Sequence, residues 1–212
     1  MKITFYIGNG FDLNQNLKTC YSQFLKEYLN YPRESSKHIE LFKHHLNNYD
    51  CWGDLELALG CMLAEYDENT VDHFIEGLED LKKKLSIYLK KQEGHFKYKI
   101  RKIKKELKRT LMIYNKKNGY MYPFYDLYPD NSEENEISFV SFNYTRIINN
   151  MCYKIRRKRL SLDWKNTKNN IRTVISVHGD TKTGFIFGLN DSSQIHNDTL
   201  KSHPKLLKHL IK

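Results

Sequence analysis

The chain has 212 residues, 35 Lys or Arg against 25 Asp or Glu, a formal net charge of +10 and 40% apolar residues. Its 15 Tyr, 11 Phe and 2 Trp carry more large apolar surface than a chain that stays unfolded, and only 4 Pro and 10 Gly interrupt it, which excludes disorder. No apolar run approaches the roughly 18 residues of a spanning helix, and no secretory h-region or cleavage site follows Lys2, so no membrane partner is expected and the cytoplasm is the expected compartment. Cys20, Cys51, Cys61 and Cys152 lie far apart, without a C-x-x-C pair or a Cys/His cluster, which predicts reduced thiols and no metal site.

Ile3, Phe5 and Ile7 open the chain as a strand, and Gly8-Asn9-Gly10 turns it. A helix follows, with Thr19 as its expected N-cap and Tyr21, Phe24, Leu25, Tyr28 and Leu29 as its apolar face, before Pro32. A helical section is expected next, over about Asp54–Ala64, Val71–Lys91 and a basic helix after Gly94. Tyr120–Pro129 reads as a loop, and the acidic stretch Asp130–Glu136 as exposed. Ile137–Phe142 then reads as a strand, Thr145–Lys158 as a helix and Ile171–Val177 as a strand, with a shorter run at Phe185–Phe187. Strand, helices, strand, helix, strand is the pattern of a parallel sheet with crossovers. The expected fold is a single α/β domain over residues 1–212, a three-layer Rossmann-like parallel sheet with a helical insertion at about 50–118.

The charge is not spread evenly. Lys82–Lys117 holds 15 Lys or Arg and 2 acids, while the rest of the chain holds 20 basic and 23 acidic residues. Within the segment Phe96, Ile100, Ile103, Leu107, Leu111 and Tyr114 recur at steps of three and four, which predicts one amphipathic helix. Its outer face, with Lys102, Lys104, Lys105 and Lys108, is either a solvated surface or a contact for nucleic acid.

Each expected strand ends in small or polar residues: Gly8-Asn9-Gly10 with Asp12; Ser141-Phe142-Asn143-Tyr144-Thr145; His178-Gly179-Asp180; and Gly188 with Asn190 and Asp191. Ligands of open parallel sheets bind outside the carboxyl ends of the strands, so a site is expected there. A glycine pair lets a backbone approach phosphate. The third glycine of G-x-G-x-x-G is replaced by Leu13, and no P-loop is present. Thr145 reads as a helix N-cap. His178, between a strand and a glycine, is placed as a general base. Asp12, Asp180 and Asp191 form no recognisable metal-binding motif, which disfavours a nuclease.

Gly8-Asn9-Gly10-Phe11-Asp12-Leu13, Leu17 to Phe24, Trp52-Gly53-Asp54-Leu55-Glu56, Phe142-Asn143-Tyr144-Thr145, Val177-His178-Gly179-Asp180 and Phe187-Gly188-Leu189-Asn190-Asp191 together resemble the AbiH family of bacteriophage abortive-infection proteins. That resemblance implies antiphage defence, with a phage component as the trigger. The order of glycine turn, Asn-Tyr and His-Gly is also similar to the sirtuin-like (SIR2) NAD-binding fold. This second likeness implies that NAD is the ligand or substrate. Gly8, Asn9, Gly10, Asp12, Gly188, Asn190 and Asp191 would bind it; Asn143 would orient ribose or water, and His178 would be the base that cleaves the nicotinamide–ribose bond. The alternative is a non-enzymatic sensor or toxin that holds nucleic acid on the basic helix. Three features depart from the patterns. Asn16 replaces a glycine, at a position where Asn tolerates φ > 0. Asp12 stands where the sirtuin-like pattern has a hydroxyl, and is expected either to cap the turn or to contact ribose. Family members usually continue past the Gly-x-Asn-Asp motif, so the family's C-terminal portion is expected to be missing.

Overall fold

The computed structural model describes residues 2–32, 36–49, 54–97, 99, 101–102, 105, 112–115, 120–123, 134–158 and 168–211. Strands β1 (Lys2–Ile7), β4 (Glu134–Ser141) and β5 (Lys168–Ser176) form a parallel sheet in the order β1-β4-β5. In β1 the period-two alternation sends Ile3, Phe5 and Ile7 to one face and Thr4 and Tyr6 to the other. Register pairs Ile3 with Ile137 and Phe5 with Phe139, so the apolar rows of two strands coincide. A bulge shifts the β4–β5 register after Ile137, and Ile171 and Val174 therefore face the same side although three residues apart.

Helix α6 (Ile147–Arg157) covers that side. Its Ile147, Ile148, Met151, Cys152 and Ile155 recur at helical spacing and are all buried against Ile137, Phe139 and Ile171, with Leu17 and Phe96 at the margin. The opposite face is open: Tyr6 is 72% and Ile175 55% exposed, and Phe142, Val177 and Ile186 are exposed beside them. Among the described residues the sheet therefore has helices on one face, not the two that a three-layer fold requires.

The larger core is helical. Helices α1 (Gly10–Asn14), α2 (Tyr21–Leu29), α3 (Lys37–Asn48), α4 (Leu55–Met62) and α5 (Val71–His95) follow β1, and α2 to α5 enclose Phe24, Tyr28, Phe42, Leu59, Phe74 and Leu78. Asp54 caps α4 by accepting from Leu57 N–H at 3.0 Å. Helix α3 falls where no helix is expected. A Cβ on Gly77 of α5 would lie 2.2 Å from the Phe42 ring, so the two helices meet only because Gly77 has no side chain. The C-terminal segment completes this core with Phe187, Leu189, Ile195 and Leu200 and with helix α7 (Pro204–Leu210). No helix among the described residues is long and apolar enough to cross a membrane.

Several expectations change. Tyr114 belongs to strand β2 (Met112–Asn115), which pairs antiparallel with β3 (Tyr120–Pro123), so the basic amphipathic helix does not reach it and Tyr120–Pro123 is not loop. Ile100, Ile103, Leu107 and Leu111 lie outside the described residues. The run at Phe185–Phe187 adds no fourth strand to the sheet: β7 (Gly184–Phe185) pairs antiparallel with β6 (Gly179–Asp180). The N-cap position of α2 is Cys20, not Thr19, and that of α6 is Arg146, not Thr145, and neither side chain makes a capping hydrogen bond.

Candidate functional site

The carboxyl ends of β1 and β4 meet at a pocket of about 130 Å³. Asn9 and Asp12 line it from the glycine turn, and Phe142, Asn143, Tyr144 and Thr145 from the end of β4. Thr19, Tyr21 and Leu89 close it from the helical side. Gly8 and Gly10 have no positive φ, and a Cβ on either would meet nothing within 4 Å. Neither fold nor packing requires these glycines, and the backbone of the turn stands open to approach.

Asp12 is the chemical centre. It is 1% exposed, and Thr145 Oγ1 donates to its Oδ2 at 2.5 Å. Its Oδ1 and the Nδ2 of Asn143, itself 7% exposed, have no hydrogen-bond partner. Burial pushes the Asp12 carboxyl up from 3.8 to about 6; Thr145 and the nearby Asn143 amide oppose the rise, and Glu93 adds to it. The Asn143 amide is thus near enough to stabilise the Asp12 carboxylate, yet neither Asp12 Oδ1 nor Asn143 Nδ2 reaches a partner of full hydrogen-bond geometry, and an unmade hydrogen bond at a buried position is costly.

The surrounding groups hold this arrangement. Asn9 Oδ1 accepts from Thr19 Oγ1 at 2.6 Å and its Nδ2 donates to Thr19 O at 3.2 Å, fixing the loop that follows α1. Asn16 in that loop has φ 62°, the left-handed conformation expected of it. Glu56 of α4 reaches across and accepts from Tyr144 OH at 2.7 Å and Tyr21 OH at 3.4 Å, joining two pocket walls. Burial, then the neighbouring Tyr21 and Glu56, push the Tyr144 hydroxyl well above its ordinary pKa and keep it protonated. Glu93 of α5 accepts from Arg146 N–H at 2.6 Å and Thr181 Oγ1 at 2.7 Å, tying the start of α6 to the turn between β6 and β7.

The third expected group lies beside the pocket without lining it. The His178 ring is 6.0 Å from Phe142 and 6.2 Å from Tyr144 between centroids, two residues that do line the pocket. Asp180 is turned to structure. Burial would raise its pKa, but the Thr183 and Lys182 amides and the Arg146 guanidinium, 3.3 Å away, outweigh that and hold it low.

The fourth group is elsewhere. A Cβ on Gly188 would lie 1.9 Å from Leu210 O, so Gly188 serves the close approach of the C-terminal helix. Asn190 N–H donates to Gln194 Oε1, and Asp191 caps a short turn by accepting from Ser193 N–H. None of the three lines the pocket. Conversely Thr145, first read as a cap, is the partner of Asp12. Glu93 carried a signal: it is the one acid between Lys82 and Lys105 in a run of bases.

Fold and pocket define an α/β protein with a small pocket at the carboxyl edge of its parallel sheet, its walls largely apolar and carrying a few polar side chains. The family model for bacteriophage abortive infection AbiH matches residues 4–211, essentially the whole chain. The chain belongs to that family. No curated protein and no solved structure matches it.

Proposed function

We propose that this abortive-infection family member binds a nucleotide at the strand-end pocket and cleaves NAD at the nicotinamide–ribose bond. One observation carries the reading: Asp12 and Asn143 are both buried and line the same small pocket, and neither Asp12 Oδ1 nor Asn143 Nδ2 has a partner of full hydrogen-bond geometry. A volume of about 130 Å³ takes one ring of the ligand, since whole-ligand pockets are several times larger. The remainder of the dinucleotide lies outward, along the open backbone of Gly8 and Gly10.

In this reading Asn143 donates to a ribose or water oxygen while Asp12 accepts. The C1′–N bond breaks, its electron pair neutralises the pyridinium nitrogen, and nicotinamide leaves. Water adds to C1′ and gives up one proton. A carboxylate with a pKa of about 6 is mostly ionised at neutral pH, so Asp12 is fit both to face a developing positive charge and to take that proton. Asp12 thereby takes the base role first given to His178, which does not line the pocket. Gly188, Asn190 and Asp191 are not required.

Nicotinamide release from NAD, followed by chromatography, tests this. Wild type is expected to turn over and Asn143→Ala to lose at least about a hundredfold in rate, in the range of a single oxyanion-hole or general-base contact. His178→Ala is expected to keep most of the activity. A wild type that leaves NAD intact, or an Asn143→Ala variant as fast as wild type, refutes the assignment.

A further inference from the structure

A second and larger concavity, about 850 Å³, lies between the loop at Asn16–Lys18, α2 and the last turns of α5. Lys18, Lys26, Lys91 and His95 line it against a single carboxylate, Glu27. That carboxylate is engaged, with Lys91 Nζ at 3.2 Å and Tyr31 OH at 3.5 Å. Lys18 and Lys26 are exposed, and among the described residues neither ammonium has an acidic partner. Lys18 also projects from a fixed backbone: Tyr88 OH donates to its carbonyl at 2.6 Å, and its N–H donates to Gln92 Oε1 at 3.2 Å. Tyr88 and Gln92 are both buried, so the wall of the groove is built from the core outward.

We propose that this groove binds a single-stranded nucleic acid. Basic charge runs on from the groove along α5, where Lys84 to His95 spans roughly 16 Å at 1.5 Å per residue. Exposed Lys97, Lys99, Arg101, Lys102 and Lys105 continue it. Charges strung along a line match the repeating phosphates of a polymer better than one compact anion. Tyr31 presents a ring at the groove, with Lys84 Nζ 4.8 Å from its centroid. An unpaired base can stack on such a ring, whereas a duplex keeps its bases inside and an acidic peptide has none to offer. The binding surface is thus the groove of α2 and α5. Of the four lysines first assigned, Lys102 and Lys105 extend it, and Lys104 and Lys108 lie outside the described residues.

The test is fluorescence anisotropy of a labelled single-stranded oligonucleotide of about ten nucleotides, as RNA and as DNA, over a salt series. Binding is expected to weaken steeply with salt, and a duplex of the same sequence to bind less tightly. The double variant Lys18→Gln/Lys26→Gln is expected to lose at least about tenfold in affinity and to flatten the log–log salt slope by roughly 1.4, two phosphate contacts at about 0.7 each. The pair Lys2→Gln/Lys208→Gln removes equal charge from exposed positions that do not line the groove and is expected to bind like wild type. No binding at low salt, equal losses in the two double variants, or equal competition by polyglutamate overturns the proposal. Neither Lys18 nor Lys26 lines the strand-end pocket, so NAD turnover is a separate readout and the two readings fail independently.

Discussion

Asp12→Asn is expected to make the protein more stable at neutral pH while abolishing NAD cleavage. The carboxyl has a folded pKa of about 6 against 3.8 for the free side chain, because burial outweighs the Thr145 hydrogen bond. A raised carboxylate pKa means that the folded state binds its proton more tightly than the unfolded state. Below about pH 4 both states are protonated and Asp12 carries no penalty; as pH rises through about 4 to 6, stability is lost; above about 6 the loss is complete. The rise from 3.8 to about 6 corresponds to about 3 kcal/mol. Asparagine keeps an oxygen to accept from Thr145 and has no charge to bury, so the penalty disappears. Urea denaturation of wild type and variant across this pH range checks the sign. The gap is expected to open between about pH 4 and 6 in favour of the variant, then level off. A variant no more stable than wild type above pH 6 would make Asp12 a structural anchor and remove the reason to read it as a functional residue that costs stability.

Gly188→Ala and Gly10→Ala are expected to fail in opposite ways. At Gly188 the new Cβ meets Leu210 O at 1.9 Å and Leu210 C at 2.8 Å, both backbone atoms that no rotamer change can move. Helix α7 would have to shift, and with it Leu206 and Leu210, which are fully buried, as well as the Leu189 N–H bond to Leu210 O at 2.7 Å. We expect a loss of about 3 kcal/mol or more, read as a lower urea midpoint and early proteolysis of the C-terminal segment. At Gly10 the Cβ meets nothing and φ is ordinary, so alanine is expected to leave stability unchanged or raise it by about 0.5 to 1 kcal/mol. Its cost falls on the ligand: a methyl group on the open turn is expected to weaken NAD binding at least about tenfold. The opposite pattern, an intact Gly188→Ala and an unfolded Gly10→Ala, would exchange the roles of the two motifs.

What could be read in advance was whatever rests on local periodicity. Ile3-Phe5-Ile7 and Ile137-Phe139 alternate as strands must, and Ile147 to Ile155 repeat as a helix must, so the apolar cores of β1, β4 and α6 were legible, whereas Glu134–Glu136, expected within an exposed acidic stretch, begin β4. Helix α3 was not, because its fit depends on Phe42 meeting a glycine 35 residues away in α5. Steps of three and four drew Tyr114 into a helix, although Met112–Asn115 pairs as a hairpin strand; short apolar runs suit either period. The site divided in the same way. Strand-end reasoning brought Asp12 and Asn143 together, since topology carries both to the same edge. It also collected Gly188, Asn190 and Asp191, whose run makes only an isolated parallel bridge, Leu189 to Ile211, apart from the three-stranded sheet. Thr145 was assigned to a cap because a threonine before a helix satisfies that pattern locally; only the fold brings it to Asp12 across 133 positions.

Isothermal titration of wild type and Asn143→Ala with NAD bears most directly on the strand-end pocket. Saturable one-site binding by wild type is expected, with at least a tenfold loss in a variant whose thermal midpoint in the absence of NAD matches wild type. Equal affinity in both proteins, or no heat of binding in wild type, would contradict the assignment of Asp12 and Asn143 to a nucleotide.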